Sequence, residues 1–297
     1  MSWEIDRALV NSYRRNIEIG LQQTRSRLES LVRNETQNSE FDFWDRIGPT
    51  AAVEATTRHG DTPLIPTPHD RRRVALRDFD WSDLIDRQDR LRMLADPTSA
   101  YTRNAVMAFN RVKDDLIIEA AFGPAYTGKT GATVVSFPAG NSIAVNYVET
   151  GSAQNSNLTT GKLRRARYLF GKSEVTTDIT YDLVCVVDPS QLQALLRDST
   201  VQSSDFNTVK ALVNGEIDTW MGFKFVQSNR LPVAGNVRSV LAFEREGLLL
   251  ASASDVVVDV GPRPDKRNST QIFVSACFGA TRMWEERVLR ILCDETL

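Results

Sequence analysis

The feature that most limits the fold is the stretch from Asp96 to Gly123, DPTSAYTRNAVMAFNRVKDDLIIEAAFG. Asp96 before Pro97 is a helix start: a side-chain oxygen to cap the first amides, then a residue whose missing N–H is no loss at the first helical position. Gly123 before Pro124 is the matching stop. Between them Tyr101, Ala105, Ala108, Val112, Leu116 and Ala120 recur at steps of three and four and so share one face. Phe109, Ile117 and Phe122 widen that face, while Arg103, Arg111, Lys113, Asp114 and Glu119 lie off it. At about 1.5 Å per residue such a helix is roughly 40 Å long. It needs a long surface to lie on, which predicts a spine.

The 297 residues allow one large domain or two to three small ones, and a hydrophobic fraction of 41% supports a real core. A formal net charge of -2 argues against a dedicated nucleic-acid binder, which would carry a basic excess. Of the 36 basic residues 29 are Arg, a bias that fits either a polar interface of bidentate ion pairs or a GC-rich coding sequence. Cys185, Cys277 and Cys293 sit among apolar residues and are odd in number, so they read as buried free thiols. His59 and His69 alone make no metal site. No stretch approaches the apolar length of a membrane span, and the charges in MSWEIDRALV oppose a signal peptide, so the chain is expected to stay where it is made.

In chain order, Trp3–Val32 has a near-heptad stripe at Leu9, Tyr13, Ile17, Leu21, Thr24, Leu28 and Leu31, which predicts a helical arm. Six Arg balance six acids between Met1 and Glu40, so the arm suits protein better than nucleic acid. Asn34 to Glu40 reads as a polar break. From Phe41 to Asp86, residues 51–60 and 72–81 read as two strands joined by a proline-rich loop. The phase of the second slips between Val74/Leu76 and Phe79/Trp81, which suggests a bulge near Arg77–Asp78. This ribbon is too polar to bury itself. Short strands follow at Thr133–Phe137 and Ile143–Val148, then a capped helix over 157–170. Next come a buried strand at Tyr181–Val187, helices at Pro189–Leu196 and Phe206–Val213, and strands at Phe223–Gln227 and Val240–Phe243. The tail is strand at Val256–Val260, Gln271–Cys277 and Arg287–Cys293, with GPRPDKRNST as a turn. No internal repeat is present.

Gly123 to Thr130 fits the phosphate-loop pattern G-x-x-x-x-G-K-[ST], and Tyr181–Asp188 is an apolar strand ending in an acid. A real site would place Lys129 on phosphates and Thr130 and Asp188 on Mg²⁺. The context opposes it, because a long helix precedes the loop and a β-branched run ended by Pro138 follows. No G-x-S-x-G elbow and no H-E-x-x-H occur. Asp78, Asp80, Asp83, Asp86 and Asp89 interleave with Arg77, Arg87, Arg90 and Arg92, which reads as an ion-pair face rather than a metal cluster. His59 and His69 read as capping or hydrogen-bonding residues of the ribbon loop. No catalytic residue, cofactor or metal is expected.

The order of elements resembles the major capsid protein family of tailed bacteriophages, the HK-97-type fold, over nearly the whole chain. The stretches that carry the resemblance are FWDRIGPTAAVEATTRHGDTPLIPTPHDRRRVALRDFDWSDLID (43–86), LADPTSAYTRNAVMAF (94–109) and LTTGKLRRARYLF (158–170). A fourth is SSDFNTVKALVNGEIDTWMGFKFVQSNRLP (203–232), whose Gly-Phe-x-Phe strand and Ser-Asn-x-Leu-Pro turn look like an axial-domain signature.

The resemblance implies an α+β fold. Its parts would be an N-terminal arm (1–40), an extended β loop (41–86), a peripheral domain with the spine helix (87–150 and 251–297) and an inserted axial domain (151–250). It implies a non-enzymatic protein that self-assembles, as pentamers and hexamers, into an icosahedral shell. Packaged double-stranded DNA would lie inside without tight specific binding. Separate scaffolding and portal proteins and assembly in the host cytoplasm are implied too, and no membrane. Arg58, His59, His69, Arg71, Arg72, Arg73, Arg77, Asp83 and Asp86 are the expected inter-subunit residues. An encapsulin-like compartment protein shares the fold, and a nucleotide hydrolase built on Lys129 is the reading from another class.

Overall fold

The structure, a computed structural model, describes residues 22–54, 60, 62, 64–86, 98–149, 151–175, 183–197, 219–253 and 256–296. In chain order its early strands are β1 (Arg33–Thr36), β2 (Phe41–Ile47), β3 (His69–Ala75) and β4 (Arg77–Ile85), followed by helix α1 (Thr98–Phe122). Next come β5 (Ala125–Thr127), β6 (Thr133–Val135), β7 (Ser142–Ile143), α2 (Thr160–Lys172), β8 (Leu183–Val187) and α3 (Pro189–Arg197). Then follow β9 (Thr219–Trp220), β10 (Phe223–Gln227), β11 (Val233–Ala234), β12 (Val237–Glu244) and β13 (Leu248–Ser252). The last strands are β14 (Val257–Arg263), β15 (Ser269–Arg282) and β16 (Val288–Asp294). The described residues of Met1–Arg25, Asp78–Val112 and Ser254–Cys277 contribute to one compact unit. Ser26–Arg77, Lys113–Ala253 and Phe278–Leu297 contribute to the other.

The larger unit is built on a mixed sheet of order β7-β16-β12-β8-β10-β9, with β11 on β12. Its centre is β8, LVCVV, in which every residue is buried. A β-branched run without alternation suits a strand covered on both faces. Parallel β10 pairs with it from Phe223↔Leu183, and antiparallel β12 from Glu244↔Leu183. Leu163, Ala166 and Phe170 of α2 join this core, with the Phe170 and Phe223 rings 6.1 Å apart. A second sheet runs β2-β3-β5-β6. In the smaller unit β14 pairs antiparallel with the first half of β15, from Val257↔Ser275 to Arg263↔Ser269. There Ser269 Oγ donates to Asp86 Oδ1 at 2.5 Å.

The spine helix runs as expected to its Gly123 stop, where the Gly123 amide donates to Glu119 O at 2.7 Å. Asp96 and Pro97 lie outside the described residues. Ala105, Phe109, Leu116 and Ile117 of the expected face are buried, joined by Ile118 and Ala121, while Tyr101, Ala108, Val112, Ala120 and Phe122 are only half-buried. Asp114, expected off the face, is fully buried. It accepts from Ser26 Oγ at 2.6 Å, Arg27 N at 3.1 Å and Leu28 N at 3.2 Å. The carboxylate satisfies amides that no strand partner takes, which removes the usual objection to burying it.

Several sequence expectations are corrected. Residues 22–32 are not α-helical: they hold bends and one 3-10 turn, Glu29–Leu31, because Asp114 captures the amides of Arg27 and Leu28. Residues 1–21 lie outside the described residues. The expected polar break contains β1, parallel to β13 from Arg33↔Leu249 to Thr36↔Ser252. The ribbon pairs β2 with β3, not 51–60 with 72–81, and residues 51–54 are not strand. The expected bulge is instead a hand-over at Leu76: β3 pairs with β2 and β5, and β4 pairs with β15. Of the expected strand at 143–148 only Ser142–Ile143 forms. The capped helix expected over 157–170 runs from Thr160 to Lys172, with Thr159 as its cap: Lys162 N donates to Thr159 Oγ1 at 3.4 Å. The helix expected at Phe206–Val213 lies outside the described residues. Cys185 and Cys293 are buried, but Cys277 is only half-buried.

Candidate assembly surface

The ribbon that the sequence offers for subunit contacts is an antiparallel pair, from Phe41↔Ala75 to Ile47↔His69. Alternation along each strand separates two faces. One carries Trp44, Arg46, Arg72 and Val74, and the other carries Phe41, Phe43, Asp45, Ile47, His69, Arg71 and Arg73. The two strands close at the base of the loop, where Gly48 N donates to Pro68 O at 2.9 Å. Beyond it the described residues of 48–68 form no strand, and Leu64 is 94% exposed.

The first face is occupied within the chain. Arg72 is 1% exposed and pairs with Glu285, which also takes Arg46 Nη1 at 3.3 Å. Burial pushes the Arg72 pKa down from its ordinary value, and the Glu285 charge opposes that shift. Arg46 also pairs with Asp70. Burial would raise the Asp70 pKa, but hydrogen bonds from Thr127 and Arg46 outweigh it and hold the group at about 2. Arg282, fully buried, donates to Ala121 O at 2.9 Å, Gly123 O at 2.8 Å and Val135 O at 3.2 Å. A cation there satisfies the last carbonyls of α1 and faces the negative end of its dipole.

The second face is open. Ile47 is 59% exposed and Phe41 45%. Arg71 Nε meets Asp45 Oδ1 at 2.7 Å, and both side chains remain half-exposed or more. Arg73 lies over the Phe41 ring at 5.1 Å and the Tyr126 ring at 4.7 Å. His69 is exposed at the end of β3. Arg77 makes a bidentate pair with Glu119 at 2.9 and 3.0 Å. In the smaller unit Asp83 is exposed, and Asp86 accepts from Ser269. Arg58 and His59 lie outside the described residues. Of the expected residues, Arg72 is thus an internal ion-pair residue. Its partner Glu285 and the helix-capping Arg282 escaped sequence reading, because neither belongs to a local pattern.

The phosphate-loop match does not form a phosphate loop. Ala125–Thr127 and Thr133–Val135 are the two strands of a hairpin, with Gly128 and Gly131 at φ of 90° and 65° in its turn. The segment after Lys129 and Thr130 is therefore β6, not a helix N-terminus. Asp188 heads α3 instead: its Oδ2 accepts from Ser190 N at 3.4 Å, and Arg238 Nη1 lies 3.7 Å from its Oδ1. Among the described residues no group of three His, Cys, Asp or Glu could hold a metal ion, and no helix is long and apolar enough to cross a membrane.

A sequence model of phage capsid proteins matches residues 5–295. The chain belongs to the phage capsid protein family. Solved structures agree on the fold of this capsid protein. It is similar to the capsid of the cyanophage P-SCSP1u, at 15% identity and a TM-score of 0.72, over 97% of this chain and 94% of the other. The capsid of the Helicobacter pylori bacteriophage KHP30 gives a TM-score of 0.75 at 8% identity, covering 99% and 98% of the two chains. That of Ralstonia phage GP4 gives 0.72 at 11% identity, covering 96% and 95%. No curated protein matches. The capsid protein has the HK-97-like α+β fold and is a shell-building protein, a role that calls for no catalysis.

Proposed function

We propose that copies of this capsid protein close, as pentamers and hexamers, into an icosahedral shell around packaged double-stranded DNA. Separate scaffolding and portal proteins and assembly in the host cytoplasm complete this reading. The arm at 1–40 and the extended loop at 41–86 reach neighbouring copies. Residues 87–150 with 251–297 serve as the peripheral domain, and 151–250 as the axial one. The observation that carries this is the loop between β2 and β3, which leaves Leu64 94% exposed and Val53 61% exposed, with none of the described residues of 48–68 in a strand. Such a segment gains stability only by lying on another surface.

His69, Arg71 and Arg73 on the open face, together with Arg58, His59, Arg77, Asp83 and Asp86, supply the ion pairs of the contact. Each exposed pair contributes only about 0–1 kcal/mol. Their repetition over the shell sets register rather than strength. Deleting residues 55–70 tests this. The expected product folds, by circular dichroism, and forms no closed particles in electron micrographs; particles indistinguishable from wild type would overturn it.

A further inference from the structure

Helix α2 carries a basic, aromatic stripe that the ribbon contact does not use. Between Asn155 and Ser173 the sequence holds five cations, Lys162, Arg164, Arg165, Arg167 and Lys172, and no acid. Lys162 is buried and Arg167 turns to Met221 O at 3.1 Å, so neither is free. Arg165, Tyr168 and Lys172 are spaced at three and four residues and lie on one face with Arg164. The Arg165 guanidinium lies over the Tyr168 ring at 5.1 Å and the Tyr147 ring at 5.9 Å. Tyr168 is 57% exposed. Among the described residues one carboxylate meets the stripe, Glu149, which takes Arg164 at 2.6 Å; the next acid along the chain is Glu174, beyond Lys172.

We propose that this stripe is a phosphate-contacting surface for duplex DNA, bound without sequence preference. It rests on the shell reading, which supplies the DNA. The chemistry favours a polyanion over a protein partner. Leu163, Ala166 and Phe170 of α2 are buried on the opposite side and Leu169 is half-buried against the same core, so the stripe offers cations and phenol rings in a segment of five cations and no acid, a charge balance that suits a polyanion. Two tyrosine rings hold Arg165 in place without neutralising it, and a guanidinium so held presents its donors to phosphate oxygens. With Arg164 spent on Glu149, Arg165 and Lys172 have no ion-pair partner among the described residues. Two neutralised phosphates make affinity fall about tenfold between roughly 50 and 200 mM salt. A single copy therefore holds DNA weakly, and an array holds it by multivalency.

The test is fluorescence anisotropy of a labelled duplex of about 30 base pairs with the full-length protein across that salt range. Three proteins are compared: wild type, Arg165→Glu with Lys172→Glu, and a control of equal charge change, Lys266→Glu with Arg267→Glu. The expected result is salt-dependent binding by wild type and control, and a loss of about tenfold or more in the α2 variant. Equal losses in both variants would reduce the effect to net charge and overturn the site. Unchanged DNA affinity in the α2 variant would overturn it too, and if its particle yield fell as well, a second copy of the chain would be the partner. Micrographs of wild-type particles test the shell reading separately: its failure is an absence of shells, whatever the anisotropy gives.

Discussion

The Arg72 guanidinium and the Glu285 carboxylate form an ion pair in which Arg72 is 1% exposed and Glu285 15%. They lie 213 residues apart in sequence and tie the ribbon strand β3 to the segment before β16. Glu285 serves Arg46 as well, so its removal strands more than one buried cation. Glu285→Gln is expected to destabilise the fold by about 3–5 kcal/mol. The double variant Arg72→Met with Glu285→Leu should lose less than Glu285→Gln alone, since it removes the most deeply buried cation that Glu285 serves, while Arg46 keeps Asp70. Urea unfolding of the three proteins checks both statements.

Lys162 is fully buried, and the three N–H groups of its ammonium are shared among four backbone carbonyls within hydrogen-bond distance. These are Val145 O at 2.9 Å, Ser156 O at 2.7 Å, Asn157 O at 3.1 Å and Leu292 O at 2.9 Å. Lys162→Met keeps the length of the side chain and takes the ammonium from all four oxygens, of which Val145 O and Ser156 O keep the amides of Ser156 and Asp294. The expected loss is about 2–4 kcal/mol, read from the urea midpoint.

Asp70 gives a pH dependence with a definite sign. Its folded pKa of about 2 lies below the ordinary 3.8, because hydrogen bonds from Thr127 and Arg46 outweigh burial. The stability it contributes is present in full above pH 3.8 and is lost as pH falls through about 2. Asp70→Asn should be less stable than wild type at neutral pH, and the gap should narrow across that window. Melting temperatures taken through the acid range check it; a gap that widens toward low pH contradicts the assignment. Because the Asp70 side chain is 40% exposed, solvent screening keeps the effect small.

Gly279 on β15 lies where a Cβ would overlap the Ala75 carbonyl oxygen and press on Val74 Cγ1 at 3.1 Å. Neither the backbone of β3 nor the buried Val74 can give way cheaply. Gly279→Ala is expected to cost about 1–3 kcal/mol. Gly261→Ala, where nothing stands within 4 Å, is the control and should be close to neutral.

The parts legible in sequence were those with local signals. The spine helix has a cap, a stripe and a stop, and α2, β8, α3, β10 and the closing strands have continuous or periodic runs of their own. The ribbon of β2 and β3 was legible as a region but not in register, because its strands are mostly polar and the pairing is fixed by residues far away in sequence. Arg72 shows why. It sits in a run of three arginines that all look solvent-facing, and only the alternation set by Phe41↔Ala75 sends it inward to Glu285. Asp114 and Asp115 are likewise identical in sequence, yet one is buried under the Ser26–Leu28 crossing while the other is half-exposed and pairs with Arg230. Such choices are made by tertiary neighbours, which no window of the sequence contains.

The three thiols of each copy carry one last consequence. Burial pushes the Cys185 thiol up, and Cys293 up to about 12; Cys277 is raised by its hydrogen bond to Asp78. Thiolate is the form that oxidants and electrophiles attack, so all three sulfurs are held in their sluggish state at neutral pH. A particle built from many such copies would hold its cysteines as thiols that form disulfides slowly.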